Sequence, residues 1–388
     1  MRHDHSMGNQ SVTASAVPKT DFRRPVYCLL GLPFDAVRRD DAIRRIGAAS
    51  PSQPCFLSTP NLNFLIASQR DPGFRDSVIR SDLSVADGMP LVWMARLLGV
   101  PIPERVTGSD LFEALVRGEG RALTVYFFGG PDGVAEAASA RLNAMAGPMR
   151  CVGFASPGFG SVEQMSDPEI IAGINNSGAE FVVVALGARK GQAWIERNRN
   201  ALDAPVISHL GAVINFVSGS LARAPVLLQK LGLEWLWRIK EEPALWGRYA
   251  RDAWALLLLI VTRVVPGLAY RLLGLFVNIS PPGIRVEHAG DTARLVVSGS
   301  WSEADLPMLH KTLETLTLEP VDVEMDVSDL GRIGGAFIGT LLLLYGHQSR
   351  VGLGFRILSV TPKVRRAFRM HCAEFLLDWI DPDDIGRV

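Results

Sequence analysis

Leu123-Thr-Val-Tyr-Phe-Phe-Gly-Gly-Pro-Asp-Gly-Val134 carries the reading of the fold. Aromatic and β-branched side chains run into a Gly-Gly turn, and apolar residues at helical spacing resume from Val134 to Met145. That is a strand feeding a helix. The same unit recurs on either side of it. Strand-like runs fall at Cys55–Ser58, Leu83–Ala86, Phe181–Leu186 and Val206–His209, with helical patterns at Leu91–Leu98, Leu111–Val116 and Ala193–Asn200. Such alternation predicts an α/β, Rossmann-like, mostly parallel sheet with helices on both faces, over residues 26–220. Ligands of such sheets collect at the carboxyl ends of the strands, so the residues just after each run are the ones to inspect.

The 388 residues carry 40 basic and 40 acidic side chains, a balance that argues against a nucleic-acid partner. Cys28, Cys55, Cys151 and Cys372 are scattered, which suits a reducing compartment and speaks against structural zinc or a disulfide scaffold. Residues 1–25 contain His3 and His5 but no apolar signal-peptide core, and read as a flexible tail. A cytoplasmic protein is expected.

Charge is not evenly spread. Residues 1–220 balance to zero, whereas Leu221–Arg271 hold eight basic against four acidic side chains. This stretch also contains Trp235, Trp237, Trp246, Trp254 and ten uncharged residues, Ala253–Thr262. Arg263 and Pro266 are expected to cut that run too short to span a bilayer. Residues 221–280 therefore read as a helical, basic, Trp-rich appendage suited to a membrane surface, the other reading being a buried helix with a basic outer face. Ser280-Pro-Pro-Gly283 breaks the chain, and residues 284–388 form a second small α/β unit with eleven basic and fifteen acidic side chains. Its strand-like runs are Arg294–Val297, Val321–Val327 and Phe355–Leu358, and its helical ones Phe337–Tyr345 and Lys363–Phe368.

Several polar segments sit where strands end. Ser58-Thr-Pro-Asn-Leu-Asn63 offers Thr59, Asn61 and Asn63, or simply caps a helix. Asp87-Gly88 could equally be a turn. Gly129 and Gly130 let backbone N–H groups approach an anion at a helix start, though a tight turn would use them too. Leu186-Gly-Ala-Arg-Lys-Gly-Gln192 adds Lys190 and Gln192. In the appendage, Arg238 and Arg248 are cations suited to a diphosphate, unless they pair with Glu241 and Glu242, and Arg223-Ala-Pro225 precedes them.

Taken in order, Thr59-Pro-Asn61, Asp87-Gly88, Arg105-Val-Thr-Gly-Ser-Asp110, Phe128-Gly-Gly130, Arg223-Ala-Pro225, Gly232-Leu-Glu-Trp235, Glu242-Pro243 and Arg248-Tyr249 form a series. Over roughly Tyr27–Asp252 it resembles the WecG/TagA/CpsF family, glycosyltransferase family 26. The resemblance implies inverting transfer of a sugar from a UDP-sugar donor to a polyprenyl-diphosphate-linked saccharide acceptor, in surface polysaccharide biosynthesis. Asp87 matches the general base and Thr59 its neighbour, while Arg238 and Arg248 match arginines that complete the site at the inner face of the cell membrane. Asn61, Asn63, Gly88, Gly129, Gly130, Lys190, Gln192 and Arg223 are then substrate-binding candidates. No cofactor and no metal are expected: the nearest carboxylate repeats are Asp322-x-Glu324-x-Asp326 and Asp381-Pro-Asp383, outside the catalytic unit. An oxidoreductase is disfavoured, because the dinucleotide fingerprint is absent.

Three positions depart from the family pattern. Arg189-Lys190-Gly191-Gln192 stands where Pro-Lys/Arg-Gln-Glu is usual, Leu245 where an appendage arginine is expected, and Gly211-Ala-Val-Ile-Asn215 in place of Gly-Gly-x-Phe-Asp. They keep open an alternative in which a degenerate transferase serves as a scaffold or regulator. The last hundred residues resemble the STAS domain of anti-sigma-factor antagonists: Asp326 and Ser328 fit, but Gly334-Gly335-Ala336 replaces the phospho-acceptor stretch. A phospho-switch is therefore not expected there. That leaves either a docking or ligand-binding role, with the glycine-bearing helix start open to an anionic partner group, or a passive appendage; the charge balance also suggests that this acidic domain covers the basic appendage.

Overall fold

The computed structural model describes residues 20–230, 232–273 and 280–378. Most of the N-terminal tail, and the C-terminal end with Asp381 and Asp383, lie outside the described residues. A hairpin, β1 (Val26–Leu29) and β2 (Leu32–Asp35), precedes the main sheet. The main sheet contains β3 (Cys55–Ser58), β4 (Leu83–Ser84), β5 (Thr124–Gly129), β6 (Arg150–Ala155), β7 (Phe181–Ala185) and β8 (Val206–His209), in the order β4-β3-β8-β7-β5-β6 and parallel throughout.

Helices cover both faces, as the near-continuous apolar strands require. Val125, Phe127, Phe181 and Val183 pack with Ile43, Phe112, Ala138 and Ile214 on one side. Tyr126, Phe128, Val182 and Val184 pack with Ile171, Ile174 and Trp194 on the other. The sequence reading missed the hairpin and β6. The hairpin turns on Leu30-Gly31, both at positive φ, where an Asn-Gly pair would have announced the turn. β6 is an edge strand whose Val152 and Phe154 stay exposed, so its pattern lacks a clear buried face.

The appendage corrects the expectation about its length. Helix runs from Pro243 to Leu272, 30 residues with a mean hydropathy of 1.8 in its most apolar window, long and apolar enough by composition to cross a membrane. One wide turn of π-helix, Ile260–Val264, carries the chain past Arg263 to Pro266, absorbing the hydrogen bond that proline cannot make. This helix does not stand free of the protein. Leu256, Leu259, Ile260 and Val264 join the core beneath Met94 and Ala95, and Asp252 is buried against Asn63. Its other face leaves Trp254, Leu257, Leu258, Val261, Val265 and Leu272 exposed.

The C-terminal unit has the mixed sheet β12-β11-β10-β9, built from β9 (Gly283–Ala289), β10 (Thr292–Ser298), β11 (Asp322–Asp326) and β12 (Phe355–Leu358). Its central helix, Gly335–Val351, is buried along Ala336–Gln348. One face covers Leu295, Met325 and Phe355, while Val26, Cys28 and Ile79 of the first domain belong to the same core. The two domains therefore share a hydrophobic core. At the helix start expected to receive an anionic partner, Gly335 packs toward the first domain, where a Cβ would meet the Cys28 carbonyl at 3.0 Å, while the preceding Gly334 is exposed with open space about it.

Candidate active site

The end of β4 and the segment after β3 run side by side. Val85 N–H donates to the Ser58 carbonyl at 3.0 Å and Asp87 N–H to that of Pro60 at 2.9 Å, which brings Asp87 beside Thr59-Pro60-Asn61. Gly88 then turns at φ 148°, a conformation that favours glycine, into the helix Met89–Leu98. Helix Gly108–Val116, capped by Thr107, presents its first N–H to Asp87 Oδ2 at 3.4 Å.

Asp87 lies in the wall of a cavity of about 600 Å³. Asn61, Asn63, Gly88, Arg105 and Phe216 line it from the catalytic domain, and Arg223, Trp235, Trp237, Arg238, Arg248 and Tyr249 from the appendage. Burial pushes the Asp87 carboxyl up to about 7, against the opposing pull of Arg105 and the Gly108 N–H. A carboxylate at this value can exchange a proton near neutral pH.

Three ion pairs close the appendage over the cavity. Arg105 donates to Glu234 at 2.7 Å, and Arg223 bridges Asp110 and Glu113. Asn63 adds a hydrogen bond of 3.1 Å to Asp252. Arg238 pairs with Glu242 at 2.7 Å, so the ion-pairing alternative holds for that guanidinium. The Nε–H groups of Arg238 and Arg248 are nonetheless buried and without a partner among the described residues. Unpaired donors of this kind raise the cost of the empty state and favour an anionic occupant.

The sequence candidates divide into two groups. Asn61, Asn63, Asp87, Gly88, Arg223, Arg238 and Arg248 share the cavity. Asn61 also caps the helix Leu62–Ser68, accepting from Phe64 N–H at 3.2 Å. Thr59 is buried behind it, its side chain near Gly108. Gln192 is fully buried and donates to Ser58 Oγ at 3.1 Å, while its Oε1 has no partner among the described residues. Gly129, Gly130 and Lys190 are not among the cavity residues. Gly129 allows the close crossing of β5 and β7, where a Cβ would lie 2.7 Å from the Ala185 carbonyl, and Lys190 Nζ donates to the Gly160 carbonyl at 2.7 Å.

Arg105, Trp93 and Asp252 are the additions that the structure makes to the candidate set. Arg105 was visible within Arg105-Val-Thr-Gly-Ser-Asp110, but only the fold shows it beside Asp87. Among the described residues no group of three or more His, Cys, Asp or Glu side chains is placed to hold a metal ion.

A half-buried carboxyl held near neutrality, under a cationic and aromatic roof at the carboxyl edge of a parallel sheet, defines a site for group transfer between polar substrates. Residues 27–268 match the family model described as glycosyl transferase WecG/TagA/CpsF family, and the chain belongs to that family, a family of glycosyltransferases of polysaccharide biosynthesis. Residues 284–374 match a second model, described as Mlab, STAS domain.

Proposed function

We propose that this protein transfers a sugar, with inversion, from a UDP-sugar to a saccharide carried on a polyprenyl diphosphate at the cytoplasmic face of a membrane. The observation that carries the reading is Asp87, held to about 7 in the wall of a cavity that Arg238 and Arg248 also line. In the reaction, an acceptor hydroxyl gives its proton to the Asp87 carboxylate while its oxygen forms a bond to the anomeric carbon. The bond from that carbon to the diphosphate oxygen breaks on the opposite face, and UDP leaves with the electron pair. Arg238 and Arg248 stabilise the charge that develops on it, and the cavity walls limit water as a competing acceptor. Arg105 keeps the carboxyl from drifting further upward. Asn61 and Asn63 orient hydroxyls at the mouth, and Trp93, Trp235 and Trp246 supply aromatic faces for a sugar ring or prenyl chain.

The exposed apolar face of the appendage supports the membrane part of the reading. Its other face is packed onto the catalytic domain, so a helix lying along the lipid surface keeps that packing, whereas a spanning one would lose it. The test is a screen of radiolabelled UDP-sugars against a polyprenyl-diphosphate saccharide, with Asp87→Asn alongside. Transfer by the wild type and none by a folded Asp87→Asn variant is expected; full activity in the variant overturns the role of Asp87.

A further inference from the structure

The cavity has an apolar exit. Helix Met89–Leu98 starts just after Asp87-Gly88 and leads away from the carboxylate. Met89, Trp93 and Leu97 recur at every fourth position, so they share one face of that helix and span about 12 Å along it. Met89 and Trp93 line the cavity, whereas Leu97 lies beyond it and is 51% exposed. The turn at Gly232 crosses over the start of the helix, where a Cβ would press on the Met89 side chain and lie 3.7 Å from the Trp93 ring. Trp93 is itself 47% exposed, and so stands at the rim, part in the cavity wall and part in the open.

The appendage helix lies beside this one and runs the same way. At the cavity end, Ala253 and Leu256 join Trp93 in the lining. At the far end, Gly267 packs on Leu98, with a Cβ placed 3.2 Å from Leu98 Cδ2, and Arg271 donates to the Leu97 carbonyl at 3.5 Å. Between these ends, Ile260 and Val264 share a core with Met94 and Ala95. Leu257, Val261 and Val265 continue the apolar surface along the outside of the appendage helix, each at least half exposed. The C-terminal domain joins that helix at Arg263 and Tyr270, on the side opposite Val261 and Val265. The expected cover of the appendage by the acidic domain therefore does not extend to this strip, which stays open.

A ligand that reaches past the Trp93 indole meets Leu97, Leu257 and Val261, side chains that form no hydrogen bonds. They offer nothing to a saccharide or a nucleotide, whereas an extended hydrocarbon gains from each of them. Arg96, the charged residue on the same helix face, can keep its head in water while its stem covers apolar surface. We propose that the two helices form a track for the prenyl chain of the acceptor. With the diphosphate at Arg238 and Arg248, the first isoprene units lie against Trp93, Leu97 and Leu257, and the chain passes along Val261 into lipid. The inference rests on the reading of the acceptor as a polyprenyl diphosphate, and deepens it by assigning the residues that recognise the chain.

The experiment is titration calorimetry of the full chain with farnesyl diphosphate and with methyl diphosphate, which carry the same charged head. Vesicles and detergent are left out, so that partition into lipid plays no part. The wild type is expected to bind the farnesyl probe at least about tenfold more tightly, the equivalent of about two buried methylenes. The double variant Leu97→Gln, Leu257→Gln changes only exposed side chains outside the cavity. It is expected to bind farnesyl diphosphate at least about fivefold more weakly, with methyl diphosphate and the unfolding temperature at wild-type values. Equal wild-type affinity for the two probes overturns the proposal, as does binding of neither. Undiminished farnesyl binding by the variant, or an equal loss for both probes, overturns it too. Turnover is read separately with radiolabelled UDP-sugars. Chain-dependent binding without any transfer means that the enzymatic reading fails and the track stands, and transfer without chain dependence means the reverse.

Discussion

The imidazole of His209, at the carboxyl end of β8, occupies the space that a side chain on Gly191 would need: a Cβ built on Gly191 would overlap the ring at Cδ2. Gly191 lies within the helix Ala188–Asn198, one residue before Gln192, at a position where the family pattern has glutamine. The departure is therefore compensated by a neighbour from the next strand, so the pocket is not left hollow. Burial drives the His209 ring down to about 4, so it is neutral at physiological pH, and its Nε2 has no partner among the described residues.

Gly191→Gln should consequently destabilise the fold by about 1–3 kcal/mol through overpacking, although glycine to glutamine in a helix would otherwise stabilise it. Combining it with His209→Gly should recover most of the loss. Urea unfolding of both single variants and the double gives the coupling directly. A Gly191→Gln protein as stable as wild type would show that the ring moves aside freely.

The proposed role of Asp87 as base makes the pH dependence of transfer its test. With its carboxyl near 7, the base form is the minority below that pH, so the rate should rise through about pH 7 and level off above it. Stability follows the opposite course. The folded value lies above the unfolded one, so the folded state binds the extra proton, and this group adds stability as pH falls from about 7 toward 4. Asp87→Asn should therefore raise the unfolding temperature at pH 8 and bring little gain at pH 4.5. Calorimetry at the two pH values checks this without any substrate.

Arg105 acts on the same group from outside. It lowers the Asp87 value and holds Glu234 of the appendage at 2.7 Å. Replacing it with glutamine should shift the rising limb of the pH–rate profile to higher pH, and should loosen the roof of the cavity. A pH profile unmoved in Arg105→Gln, with only the acceptor KM raised, would mean that the arginine serves the roof alone.

Much of this site was legible from residue types at strand ends. Asp87, Asn61 and Asn63 could be picked out because short polar segments follow apolar runs, and the parallel sheet brings those ends to one edge, whereas the two appendage arginines stood out as cations of a basic, Trp-rich stretch. Gly129 and Lys190 looked similar, but a glycine at a strand end serves close packing of strands as readily as a ligand. Nothing in a linear sequence tells the two apart. Arg105 and His209 escaped for a different reason, since their significance is a matter of the side chains they stand beside.

The junction of the two domains was the least legible feature, although its signal is in the sequence. Helix Gly335–Val351 is apolar on every side, with Leu341–Leu344 in succession, which marks a helix covered all round. Its own small sheet can cover only one face. The other carries Gly335, Gly339 and Gly346, which let its backbone approach Cys28, Val26 and Ile79, and it is fastened by Tyr345 to Asp76 at 2.9 Å and Arg350 to Asp82 at 3.0 Å. Gly339 is the tightest of these, because a Cβ there would collide with the Val26 carbonyl oxygen, a backbone atom that cannot swing away. Gly339→Val should cost at least about 2 kcal/mol by forcing helix and hairpin apart, while Gly173→Val, exposed with open space about it on helix Pro168–Asn176, tests for a general effect of losing a glycine. A chain ending at Pro281 would expose Val26, Cys28 and Ile79 and is expected to aggregate. A soluble, monomeric 1–281 chain with wild-type unfolding temperature would show that the shared core is not needed by the catalytic domain.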